Sequence, residues 1–366
     1  MKLFLCGDVM TGRGIDQILP HPSQPHLFEP YVGLATDYVE LAERASGTLK
    51  IPVDFAYIWG DALREFERVN PDVRIINLET AVTTSEDAWQ GKGIHYRMNP
   101  ANMGCLTAAK IDCCVLANNH VLDWGYSGLT ETLNLLHRAG LRTAGAGRNQ
   151  EKASAPARIK VPAKGRVLVF AVAMASSGVS HDWAATKENA GVNFLGDLSE
   201  RSVDAIARQV LGEKRAGDIA VFSIHWGANW GFYISDEERM FAHRLIDDAG
   251  IDVVHGHSSH HVKGIEVYRE KPIIYGCGDF LNDYEGIGGY QNYRGDLSLM
   301  YFPVVDAATG KLLQFSATPT QIRRLRVNYA PAEGVRWLFE CLNRECRKLG
   351  TWVEQSADNT FLLRWK

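Results

Sequence analysis

The chain has 366 residues, 46% hydrophobic and 22% charged, which supports a sizeable core and excludes a disulfide-stapled miniprotein, a fibrous repeat or a disordered tail. A net charge of −4 and a pI near 6.3 give a nucleic-acid partner no electrostatic support. The seven cysteines are odd in number and form no CxxC pair, so no zinc ribbon or thioredoxin-like motif is expected, and reduced, buried thiols in a cytoplasmic protein are the default.

Short apolar, β-branched runs alternate with helical patterns along the chain. Leu3–Cys6 reads as a first buried strand, too short for a signal h-region. Residues 20–56 read as an irregular insert, with prolines at 20, 22, 25, 30 and 52. A helix around Ile58–Val69 precedes a second strand, Val73–Asn77, and Cys113–Leu116 is a third strand, followed by a helix over Leu129–Ala139. Arg166–Val172 and Ile219–Ile224 are strands flanking the helix Arg201–Leu211; Glu237–Ala249 is a helix, and Val253–His255 and Ile273–Tyr275 are further strands. Residues 284–296 are rich in Gly and Tyr and suit a mobile flap. The pattern over 331–348 predicts an amphipathic helix. The expected organisation is therefore an α/β domain over 1–325 with a C-terminal helical appendage over 326–366. No run of about 18 apolar residues occurs, so no membrane span is expected.

Nearly every predicted strand ends in Asp, Asn, Glu or His, and in α/β folds ligands sit at the carboxyl ends of strands. The first such end is Gly7-Asp8-Val9-Met10, with Thr11-Gly12-Arg13-Gly14 behind it; Asp8 reads either as a cation ligand or as a helix cap. Asn77-Leu78-Glu79 follows, its two polar residues on one side of an extended segment or paired across a loop. Asn118-Asn119-His120 suits coordination and acid–base work, with Asp123 placed to orient His120, or else His120 is a satisfied core imidazole. His225-Trp226-Gly227, with Trp230, ends another strand. His255-Gly256-His257-Ser258-Ser259-His260-His261 holds four imidazoles in seven residues, of which His257 and His260 are the better-placed ligands. The last cluster holds Cys277, Asp279 and Tyr284; a buried inert thiol is the commoner reading of Cys277, and Asp279 reads as a substrate contact or an outer support. Together the clusters make a ligand set for one or two hard or borderline divalent ions.

These motifs resemble the capsule-synthesis family of CapA and PgsA, the poly-γ-glutamate synthesis proteins. The resemblance rests on Gly7-Asp8-Val9-Met10, Asn77-Leu78-Glu79, Ala117-Asn118-Asn119-His120-Val121-Leu122-Asp123, His225-Trp226-Gly227, Gly256-His257-Ser258-Ser259-His260-His261-Val262 and Ile274-Tyr275-Gly276-Cys277-Gly278-Asp279-Phe280. It implies a branch of the calcineurin-like metallophosphoesterases, with a four-layer α/β/β/α sandwich. It implies Asp8, Glu79, Asn119, His225, His257 and His260 as ligands to Mn, Zn or Fe, and His120 as the acid. Met10 stands where those enzymes usually carry a histidine, so one metal position has a ligand fewer.

Three functions follow. The first is a metal-dependent hydrolase of a phosphoester or a γ-glutamyl or peptide amide, in which Asp123 orients His120 and Arg13 steadies an anionic substrate. The second is a metal-independent peptide Cα epimerase, with Asp8, His257 or His260 and Cys277 as candidate acid and base, and Asn77, Trp226, Trp230, Cys277, Asp279 and Tyr284 toward the substrate. The third is a non-catalytic assembly protein that binds the polymer.

Overall fold

The computed structural model describes residues 1–366 as two large β-sheets packed face to face with helices outside them, and two small two-stranded sheets beside them. The larger sheet has ten strands. One half is parallel and runs Leu3–Val9, Val73–Leu78, Cys113–Val115, Arg142–Ala144. The other half is antiparallel and runs outward from Leu3–Val9 through Leu297–Val305, Leu312–Ile322 and Phe361–Trp365 to Thr351–Gln355.

The second sheet has six strands, in the order Ile265–Tyr268, Lys271–Ile274, Val253–His257, Asp218–His225, Gly165–Ala173, Ala157–Val161. Its central strands are parallel and apolar on both faces, as strands covered on both sides must be. Val167, Val169, Ala171, Ile219 and Val221 enter the core shared with the larger sheet. The alternating residues Leu168, Phe170, Val172, Ala220 and Phe222 instead meet Val203, Val210, Phe241 and Leu245 of the helices Glu200–Glu213 and Asp236–Asp247. Across the larger sheet, Phe4 packs edge-on against Phe66 of the helix Asp61–Val69.

The predicted strands and helices along the parallel cores are present. Two stretches differ. The insert over 20–56 contains a helix, Ala35–Ser46, because beyond Pro30 the chain carries buried Ala35, Tyr38, Val39 and Ala42 at helical spacing. Residues 326–366 are not a helical appendage. The expected helix runs Ala332–Arg347, but Thr351–Gln355 and Phe361–Trp365 extend the larger sheet, and Leu338, Leu342, Val353 and Phe361 lie in its core.

Register brings the polar strand ends together. Asp8 lies opposite Asn77 on one side and Asp279, of the short strand Asp279–Leu281, on the other. In the second sheet His225 lies opposite His257. The chain at Gly278 crosses so closely that a Cβ at Gly7 would sit 1.6 Å from its carbonyl oxygen; only glycine lets Asp279 pair beside Asp8.

Candidate metal centre and active-site cleft

Side chains from both sheets meet in a cleft of about 360 Å³ lined by Glu79, Asn119, His120, His225 and His260 among others. Ligand atoms of Asp8, His225 and His257 lie within 4.8 Å of one another, as do those of Asp8, His260 and Asp279. Asp8 belongs to both groups. Asn77 Nδ2 donates to Asp8 Oδ1 at 2.7 Å, but the second oxygen, Oδ2, is buried without a partner.

The histidines form one hydrogen-bonded line whose protons can be counted. His255 Nε2 lies 2.7 Å from the Cys6 carbonyl, which only accepts. His255 Nδ1 lies 3.0 Å from Ser223 Oγ, and Ser223 Oγ lies 2.8 Å from His257 Nε2. His257 Nδ1 meets His225 Nδ1 at 2.7 Å, and His225 Nε2 meets Asn119 Oδ1, another acceptor, at 3.2 Å. Three neutral imidazoles and one hydroxyl supply four protons for five links. A fifth proton is opposed by burial, which pulls His225 and His257 well below the ordinary imidazole range. With both ends satisfied and the Ser223 hydroxyl turned to His255 Nδ1, His257 has one proton for two links; with it on Nε2, toward Ser223, the link without a proton is the one between His225 and His257. Two lone pairs then face each other, with Asp8 Oδ1 at 3.9 Å from His257 Nδ1. A cation satisfies that arrangement, and the donor set, two imidazole nitrogens and a carboxylate, suits a borderline divalent metal.

On the other side of Asp8, His260 Nδ1 lies 2.9 Å from Asp279 Oδ1, which leaves Nε2 free. Asn282 Nδ2 donates to Asp279 Oδ2 at 2.7 Å. Burial lowers the His260 pKa, but the Asp279 charge outweighs it and the net direction is upward. Burial, with the Asp279 charge, pushes Asp8 up to about 7. Burial, with the Asp8 charge, pushes Glu79 well above the carboxylate range. Asn77 bridges the two, its Nδ2 also lying 3.1 Å from Glu79 Oε2.

His120 stands at the cleft wall with Nδ1 2.7 Å from Asp123 Oδ2 and Nε2 3.8 Å from Glu79 Oε1. Asn118 Oδ1 accepts from the His120 backbone amide at 3.1 Å and fixes the loop. Lys92 Nζ lies 2.6 Å from Asp123 Oδ1 and 3.0 Å from His120 Nδ1. Burial would raise Asp123, but the charges of His120 and Lys92 hold it below the usual range. The imidazole itself is lowered to about 4 by burial, so it is neutral near pH 7.

The structure gathers Glu79, Asn119, His120, His225 and His260 at one cleft, with Asp8, His257, Asp279, Asp123 and Asn77 buried behind it. Asp279 joins a ligand group as well as supporting His260. Tyr284 lines the cleft, and Trp230 lines the adjoining chamber. Two residues, Trp226 and Arg13, behave otherwise than expected, and Cys277 takes the commoner of its two readings. Trp226 lies in the outer core, stacked on Tyr275 at 6.1 Å, with Nε1 on the Tyr275 carbonyl. Cys277 is fully buried in the apolar core, and burial drives its thiol pKa up, so it offers neither an acid–base group nor a substrate contact. Arg13 reaches the site wall with its charge already balanced. It donates to Asp283 and to Glu29 and Tyr38, under the rings of Tyr96 and Tyr284. It braces the wall rather than presenting a free cation.

Lys92 and Ser223 are the residues the sequence reading misses. Lys92 sits in a loop between Gly91 and Gly93 with no local pattern, and Ser223 sits inside an apolar strand. For Ser223 the one available signal is its place two residues before His225 on the same strand face.

The stacked sheets and the His- and Asp-rich cleft at their strand ends define an α/β protein with the donor set of a metal site. The chain belongs to the bacterial capsule synthesis protein PGA_cap family, whose model matches residues 2–284. It is 48% identical over 360 residues to a probable polyglutamine synthesis accessory protein of Mycobacterium tuberculosis, covering 98% of this chain and 94% of that protein. It is 26% identical over 317 residues to the PGA biosynthesis protein CapA of Bacillus subtilis, covering 86% and 70% of the two chains. With the capsule biosynthesis protein CapA of Bacillus anthracis it shares 24% identity over 284 residues, covering 77% and 60%. No helix is long and apolar enough to cross a membrane.

Proposed function

We propose that this chain is a metal-dependent hydrolase of a calcineurin-like metallophosphoesterase sandwich, serving the synthesis of a glutamate polymer or capsule in the cytoplasm. The relatives' names supply the biological setting; the chemistry is read from the cleft. The observation that carries it is the line of His255, Ser223, His257 and His225, one proton short beside the unpaired Asp8 oxygen. Asp8, His225 and His257 would hold one Mn, Zn or Fe ion, and His260 and Asp279, with Asp8 between, a second. Such an ion supplies an activated water and polarises the substrate oxygen. Burial and the Asp8 charge raise the Glu79 carboxyl and so favour its neutral form, which can donate a hydrogen bond. His120 Nε2 faces the cleft with its lone pair, because Asp123 takes the Nδ1 proton. It therefore first takes up a proton, which Asp123 and Lys92 orient it to do, and then passes it to a leaving group. The bond cleaved is a phosphoester, by the fold, or a γ-glutamyl or peptide amide, by the relatives' names.

The test is metal content of protein purified without chelator, for the native chain and Asp8→Ala, with hydrolysis of a phosphodiester and of a γ-glutamyl oligomer followed in parallel. At least one equivalent of metal, its loss in the variant, and chelator-sensitive cleavage are expected. Metal-free native protein that exchanges solvent deuterium into a peptide Cα would instead establish epimerisation.

A further inference from the structure

Beside the cleft lies a second, larger chamber of about 680 Å³, a volume in the range of sites that enclose a small organic ligand. The two spaces are continuous in their walls: Ile94, Asn229, His260 and Tyr284 line both. Trp230 stacks on Tyr290 with centroids 4.3 Å apart, which gives the chamber a flat aromatic wall. Gly286, Gly288 and Gly289, just before Tyr290, leave backbone exposed on the chamber's lining.

Three arginines line this chamber, and their charges differ in availability. Arg13 is ion-paired to Asp283 and Glu29, and Arg294 to Asp296 and Glu333. Arg323 has no carboxylate within 4.0 Å; its side chain makes one hydrogen bond, from Nε to Ser46 Oγ at 3.1 Å. Its two terminal nitrogens make no hydrogen bond or ion pair within the chain. A guanidinium fork of this kind matches the planar geometry of a carboxylate, which it grips with two parallel hydrogen bonds.

We propose that this chamber seats the chain of the substrate, and that Arg323 anchors a carboxylate of that chain while the reacting bond lies at His260 and Asn229. The ligand class is a peptide-like chain bearing free carboxylates, its methylenes and amides lying on Trp230 and Tyr290. The assignment rests on the reading of the cleft as a catalytic site, and it adds what the cleft alone leaves open, the feature by which a substrate is chosen.

The experiment uses isothermal calorimetry of the full chain with a γ-linked glutamate pentamer, the same pentamer with every carboxyl group amidated, and inorganic phosphate. The variants are Arg323→Met, which keeps the stem of an exposed side chain, and Tyr290→Ala, also at an exposed position. The free-acid pentamer is expected to bind the native chain on the order of tenfold or more tighter than Arg323→Met, from the loss of a charge-assisted contact. The amidated pentamer is expected to bind both chains equally weakly, and Tyr290→Ala to weaken both pentamers. Equal affinity of the native chain and Arg323→Met for the free acid overturns the proposal, as does failure of the native chain to bind it. Phosphate competing with the pentamer in an Arg323-dependent way makes the site a phosphate site and also overturns it. Metal content measured on the same samples separates the two readings: a metal-free chain that still binds the pentamer through Arg323 refutes the hydrolase and keeps the chamber.

Discussion

Replacing Asp8 by Asn tests the cation site through stability, with opposite signs for the metal-free and metal-loaded protein. Burial and the Asp279 charge hold the Asp8 carboxyl up at about 7, against 3.8 for an ordinary aspartate. Below about pH 4 the folded and unfolded chains both carry the proton, and nothing is lost. As pH rises toward 7 the unfolded chain releases it while the folded chain keeps it, so stability falls over that interval and levels off above it. The interval corresponds to about 4 kcal/mol, of which roughly 2–3 kcal/mol accrues between pH 5 and 8. Asn cannot ionise, and its Oδ1 still accepts from Asn77 Nδ2. After dialysis against chelator, Asp8→Asn should therefore gain on the native chain by roughly 2–3 kcal/mol between pH 5 and pH 8, a shift of a few degrees in melting temperature. Manganese should reverse the order. At a ten-thousandfold excess over its dissociation constant, an ion that binds only the folded native chain adds about 5.5 kcal/mol, more than the whole interval, and the variant should gain little. Thermal unfolding followed by circular dichroism, at the two pH values and with and without MnCl2, measures all four quantities. A variant less stable than the native chain by the same amount at both pH values, with metal raising both equally, would refute the idea that Asp8 is a buried charge placed for a cation.

Other substitutions probe the supports. Lys92→Met removes the cation on Asp123 Oδ1 and leaves that oxygen buried, so a loss of about 1–3 kcal/mol is expected, with kcat falling more than KM rises; unchanged kcat would remove Lys92 from the orientation of His120. Cys277→Ala should destabilise by about 1–2 kcal/mol through the cavity it leaves and keep full activity, whereas inactivity at unchanged metal content would restore the thiol to the mechanism. Glu266 provides a pH dependence away from the cleft. Burial opposes its ionisation, but its bonds to His243, Arg239 and Tyr275 bring it down to about 2. Its folded value lies below the unfolded 4.5, so the stability it contributes is present above that pH and is lost as pH falls toward 2. Glu266→Gln should cost about 1–2 kcal/mol at pH 7, allowing for solvent screening, and the gap should close in denaturant titrations repeated toward pH 3. A gap that stays constant with pH would assign the loss to packing.

The parallel strands were legible because burial on both faces leaves continuous apolar runs, and because a polar residue that ends such a run is conspicuous. Asp8, Asn77, His225 and His257 all occupy that position. The antiparallel half carried weaker signals. Thr351–Gln355 and Phe361–Trp365 are five residues each, and nothing local distinguishes them from a loop until Leu312–Ile322 is there to pair with Phe361–Trp365. The helix Ala35–Ser46 was hidden by the prolines around it, although its own apolar spacing is regular. For single residues the limit is of another kind. Arg13 beside a Gly-rich turn has the local character of an anion site, and only the fold brings Asp283 to it from 270 residues away and balances its charge. Arg323 has no motif around it and keeps its charge available.

The histidine cluster marks the same boundary. Four imidazoles in seven residues identify a place where burying polar groups needs a reason, yet the four have different duties. His261 turns into a stack with Trp230, and His255 spends its protonated nitrogen on the Cys6 carbonyl. That second contact has consequences three residues down the line. It makes His255 Nδ1 an acceptor, turns the Ser223 hydroxyl toward it, and leaves Ser223 Oγ an acceptor for His257 Nε2; a proton there presents the His257 Nδ1 lone pair to His225 and Asp8. A residue that touches nothing in the cleft thereby biases the tautomer of one beside the candidate cation site. Removing the acceptor property of Ser223, as in Ser223→Ala, would free His257 to adopt the other tautomer and carry its proton toward His225. The demand for a cation would then relax without any ligand having been changed, and metal affinity should fall while Asp8, His225 and His257 all remain in place.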